Sequence, residues 1–167
     1  MLEALLILAA SATAQTADPL AQARAGKVQC VTPNDANKTC MGVTTYKVNA
    51  DGSFETETTL MIAPSPLITM TVKAPGNVQG NALCGPVDKA DFAAATILMD
   101  GQPANDAMAA AVRAQLSGAI APMDGKMSCG TEAADGTVTV TLDGVARPDM
   151  TLKTKWVSPS DGYKVGQ

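Results

Sequence analysis

The side chains able to do chemistry in this chain are few, and their types narrow the choice before any fold is considered. The 167 residues include no histidine, which removes the imidazole base of Ser-His and Cys-His machinery and every His-ligated metal site. Neither a Gly-x-Ser-x-Gly elbow nor a Ser-x-x-Lys motif offers another route to an activated hydroxyl. Gly76-Asn77-Val78-Gln79-Gly80 is glycine-rich but lacks the lysine of a phosphate loop.

Carboxylates remain. Glu55 and Glu57 stand two apart in a strand-like stretch, so they point the same way. A glycosidase pair needs a cleft and sugar-stacking rings, and aromatic residues make up only 3% of the chain. A solvated strand face accounts for both glutamates. Asp88 and Asp91 suit the first turn of a helix, where negative charge is favoured, better than a calcium site, since no EF-hand loop follows. Asn34-Asp35-Ala36-Asn37 offers oxygen atoms, yet an Asx turn in that loop needs no metal. Thioethers bind copper(I), but of nine methionines only Met123 and Met127 lie close together in an expected loop, and most of the others fall at core positions as gap fillers. No cofactor is expected.

Four cysteines, Cys30, Cys40, Cys84 and Cys129, form an even set without a Cys-x-x-Cys pair, the pattern of structural disulfides in an oxidising compartment rather than of a redox or zinc site. Of the three possible connectivities, Cys30–Cys40 with Cys84–Cys129 is favoured, because the first pair brackets the turn-rich segment Pro33-Asn34-Asp35-Ala36-Asn37. On the loop-entropy model these bridges contribute about 3 and about 4 kcal/mol.

The elements that would position these groups follow from periodicity and turn chemistry. One long helix is expected from about Pro103 to about Ile120. Ala104, Met108, Val112, Leu116 and Ile120 recur at i, i+4, with Ala111 and Ala119 beside them; Asp106, Arg113 and Ser117 face away. Asn105 or Asp106 would cap a slightly later start, and Pro122 stops the helix. Gln115 lies inside the apolar arc, so Met108, Val112 and Gln115, together with the lone Trp156, are the candidate lining of a pocket between helix and sheet.

Strands are expected at Lys27–Thr32, Gly42–Asn49, Ser53–Ile62, Leu67–Lys73, Thr137–Leu142 and Met150–Val157, with a helical turn at Asp88–Phe92; Ala93–Met99 fits helix or strand, and Thr96-Ile97-Leu98-Met99 before Asp100-Gly101 tips it toward strand. Asp-Gly pairs beginning at Asp51, Asp100, Asp124, Asp135, Asp143 and Asp161 suit tight turns between antiparallel neighbours.

Residues 1–14 read as a signal peptide. An apolar run, Ala4 to Ala10, leads into Ala12-Thr13-Ala14, a small-x-small cleavage site, although Glu3 stands where a basic residue is usual. The run is too short to span a bilayer. Residues 15–26 read as a linker or frayed helix, and 27–165 as a single α+β domain: an antiparallel β-sheet packed by one main α-helix (about 103–120) and stapled by two disulfides. A net charge of −4 gives no basic face for nucleic acid.

The expected role is that of an exported protein, periplasmic or secreted, that acts without catalysis as a binding or structural component of the envelope. Its partner would be an envelope protein or a small apolar ligand, with no membrane span in the mature chain. The alternatives are a carrier of a small apolar ligand and a carboxylate-type hydrolase.

Overall fold

The computed structural model describes residues 18–167; the expected signal peptide lies outside the described residues. Strands dominate, as Thr, Val and Ile spacing requires. In chain order the elements are α1 (Ala21–Arg24), β1 (Val28–Asn34), β2 (Thr39–Val48), β3 (Ser53–Pro64), β4 (Leu67–Gln79), β5 (Ala82–Pro86), α2 (Lys89–Ala93), β6 (Thr96–Met99) and β7 (Gln102–Pro103), followed by α3 (Asp106–Ile120), β8 (Met127–Glu132), β9 (Thr137–Leu142), β10 (Val145–Ala146), β11 (Leu152–Val157) and β12 (Lys164–Val165). The sheet is antiparallel apart from β12, which lies parallel to β2. The fold is α+β with one main helix and both disulfides in the favoured pairing.

The sheet closes on itself. β1 pairs β2, β2 pairs β3, β3 pairs β4 and β4 pairs β5. β5 then pairs β8, β8 pairs β9, β9 pairs β11, and β11 returns to β1 with Gln29 opposite Trp156. Eight antiparallel strands in sequence order therefore form a barrel, which removes the exposed edges an open sheet of this size would leave. The registers put one alternating set inside all the way round, including Gln29, Thr44, Tyr46, Phe54, Val72, Leu83, Gly130, Val138, Thr154 and Trp156. Lys47, Glu55, Glu57, Lys73, Lys153 and Lys155 fall on the outward set.

The segment α2–β6–β7–α3 is inserted between β5 and β8. Cys84 and Cys129 face each other in that pair, at a Cα separation of 4.1 Å, so the disulfide clamps the base of the insertion. Val112 and Ala109 of α3 pack with Ile68, Met70, Val72, Ala95 and Ile97 in a filled apolar cluster. At the other end of the barrel, Leu20 is fully buried with Ala23 and Phe54, against Tyr46, Val48 and Trp156. The described part of the expected linker is thus a helical turn packed on the barrel. A third cluster buries the Cys30–Cys40 disulfide with Val157.

Several boundaries differ from expectation for physical reasons. The helix starts at Asp106 instead of Pro103: Asn105 Oδ1 accepts from the Met108 backbone N–H at 2.9 Å, while Pro103 belongs to the β6–β7 hairpin. β4 continues to Gln79, past the expected end at Lys73, because its Gly-Asn-Pro stretch runs along β3 as far as Asn77. Gly76 is required there: the Phe54 ring occupies the space of a side chain, 2.3 Å from an ideal Cβ. Strands β5 and β8, which carry Cys84 and Cys129, had too little alternation to be expected.

Candidate binding site in the barrel mouth

The four residues expected to share a pocket do not meet. Met108 and Val112 pack in the helix–sheet cluster, Trp156 belongs to the cluster at the opposite end, and Gln115 is exposed. The buried arc of α3 runs through Ala109, Val112 and Ile120, and Arg113 lies on it, donating from Nε and Nη2 to the Ala95 carbonyl at 3.1 and 2.8 Å. The arc is rotated away from Ala111, Gln115 and Ala119, since alanines on both flanks leave its centre undefined by sequence. The space between helix and sheet is core.

Open space lies inside the barrel. A cavity of about 680 Å³ occupies the end where the β4–β5 and β8–β9 turns lie, with the start of α1 as one wall. Its apolar lining includes Val31, Leu83, Val138, Leu152 and the Trp156 ring, and Gly130 contributes no side chain. Tyr46 and Trp156 meet with ring centroids 5.4 Å apart and planes at 41°, and Phe54 packs edge-on to Tyr46 at 5.7 Å. Beyond them, a smaller space of about 280 Å³ reaches Phe92 and Asp91 of α2; Tyr46 borders both.

A polar network crosses the larger cavity. The Tyr46 hydroxyl donates to Gln29 Oε1 at 2.8 Å. Gln29 Nε2 donates to Glu132 Oε2 at 3.3 Å and to Thr154 Oγ1 at 3.4 Å. Trp156 Nε1 donates to the same Glu132 oxygen at 2.9 Å. Gln29 and Thr154 are buried, at 8% and 6% exposure, so each needs these partners. Burial, and secondarily the Glu132 charge, push the Tyr46 phenol well above its ordinary pKa, so it stays a donor.

The other candidate groups have local work. Glu55 and Glu57 share the outward face and pair with Lys47 at 3.5 Å and Lys73 at 3.1 Å, all four well exposed. Asp88 caps α2, accepting from the Ala90 N–H at 2.8 Å. Asp91 is raised from its ordinary pKa by burial and then by the charge of Asp88. In the Asn34–Asn37 turn, Asn34 Oδ1 accepts from the Asn37 N–H at 3.3 Å, and Asp35 accepts from Lys155 at 2.9 Å and from the Tyr163 hydroxyl. Met123 ends the turn after α3 and Met127 opens β8. Among the described residues no three His, Cys, Asp or Glu side chains gather as a metal site would require.

Nothing matches this chain among protein-family models, curated proteins or solved structures.

Proposed function

We propose that this is an exported, non-catalytic binding protein that holds a small molecule with an apolar body in the mouth of its barrel. The observation that carries the reading is the cavity itself. It falls in the size range of small-ligand sites, is lined by apolar and aromatic side chains, and has a few convergent polar groups whose positions are fixed by hydrogen bonds. An eight-stranded barrel is wide enough to hold one small ligand. The charged outward face suits water around the barrel, the reverse of a lipid-facing one. Two disulfides support export to an oxidising compartment.

Nile red, a neutral apolar dye, tests the site. Its emission should rise on binding to the wild-type protein, and Leu152→Trp, which fills the cavity from β11, should abolish the rise without lowering the melting temperature. Undiminished binding by Leu152→Trp would place the dye elsewhere and sink the reading. The export claim is separate: protein recovered from outside the cytoplasm should begin at Gln15 by mass spectrometry and contain no free thiol.

A further inference from the structure

The chemistry of the cavity narrows its ligand, on the premise that the barrel mouth is a binding site. We infer that it takes a small organic cation, an ammonium group on an apolar body, with Glu132 as charge partner and Trp156 and Tyr46 as aromatic walls. Among the described residues, two carboxylates and no lysine or arginine line the space. Asp18 is already matched, its Oδ2 accepting from Arg24 Nε at 3.2 Å and its Oδ1 from the Leu20 N–H at 2.9 Å. Among the described residues Glu132 has no such cation. Its Oε2 is held by two neutral donors, Trp156 Nε1 and Gln29 Nε2, and among the described residues no hydrogen bond reaches Oε1.

The carboxylate is aimed rather than free. Gln29, which holds it, is buried and is itself fixed by the Tyr46 hydroxyl. The two rings pack together at a 41° tilt, Trp156 meeting the carboxylate through its Nε1–H edge, and the faces of Trp and Tyr attract a cation through their quadrupoles. An anionic ligand would meet Glu132 with no compensating charge. A wholly neutral one would strip water from the carboxylate without replacing it. A cation offsets both penalties. Glu132 is itself exposed, so the ammonium group sits at the opening and the apolar body lies inward, toward Leu83, Val138 and Leu152.

Three probes with one naphthyl body test this by titration calorimetry on the full, disulfide-intact protein: naphthylmethylammonium, naphthylmethanol and naphthoate. Emission from Trp156, the single tryptophan, is read in parallel. The ammonium probe should bind about tenfold tighter than the alcohol, the ring faces and the Glu132 charge each supplying a share, with naphthoate weakest. Glu132→Gln should weaken the ammonium probe and narrow its lead over the alcohol to what the rings alone supply. Equal affinities in the wild type, or a cation preference as large in Glu132→Gln as in the wild type, overturns the cation assignment while the binding reading stands. Absence of both heat and a Trp156 response with all three probes overturns both. If Glu132→Gln does not fold, the wild-type ranking of the three probes decides alone.

Discussion

At the scale of the residue, most of the acidity of this chain is structural. Each aspartate of the six Asp-Gly pairs accepts a backbone N–H close to its own turn or an adjoining one: Asp51 from Ser53, Asp100 from Leu67, Asp124 from Lys89, Asp135 from Thr137, Asp143 from Met127 and Asp161 from Ser158. Asp100 and Asp143 also adopt positive φ together with the glycines that follow, the geometry of the tightest hairpin turns. Asp135 shows the pH consequence. The Lys153 ammonium, then the N–H and hydroxyl of Thr137, hold its carboxyl far below the ordinary range. A pKa lowered in the folded state contributes stability above the unfolded value, and that contribution is lost as pH falls through the folded one. Asp135→Asn should therefore lower the urea midpoint at neutral pH and match the wild type in strong acid; an equal deficit at both would contradict this. Inside the barrel the stakes are higher. Tyr46→Phe leaves Gln29 Oε1 without its donor and should cost about 1–2 kcal/mol in urea unfolding.

At the scale of the element, the insertion between β5 and β8 is held by its disulfide and by α3. Cys84 and Cys129 are 45 residues apart in sequence, so a Cys84→Ser/Cys129→Ser double variant should lose about 4 kcal/mol on the loop-entropy account; a loss confined to α2 and α3 in amide exchange would show that the barrel holds without the clamp. Asn105→Ala should cost about 1 kcal/mol through the lost cap. The strands with clean alternation, Thr137–Leu142 above all, were legible because threonine and valine mark two faces unambiguously. The cysteine pairing was legible from loop chemistry. Rotation of α3 was not, because Ala109, Ala111 and Ala119 are equally apolar whichever way they face, and Gln115 was misplaced with them. The site was largely hidden. Trp156 was singled out, but Gln29 and Glu132 come from strands far apart in sequence, and neither carries a local signal. Gln29 has one hint, Val31 on the same face of its strand, whereas Glu132 shares its face with Gly130 and Ser128 and has none.

At the scale of the molecule, antiparallel order was readable from turns, whereas closure was not, because it depends on one pairing between the first barrel strand and the last. That pairing sets when the protein can exist at all. Val28 lies opposite Val157, so a chain emerging from synthesis has no finished barrel, and no cavity, until β11 is free. Such high contact order slows folding to milliseconds or longer. Refolding of the disulfide-intact protein, followed by the emission of Trp156 as it meets Tyr46, is expected on that scale; a microsecond phase carrying the whole change would contradict it. The join between β9 and β11 is short, two residue pairs against eleven between β3 and β4, so it should be the first seam of the barrel to exchange its amide protons. A nascent chain with neither seam shut is still an open ribbon, threadable through a narrow pore, and it acquires its interior only where the last strand arrives.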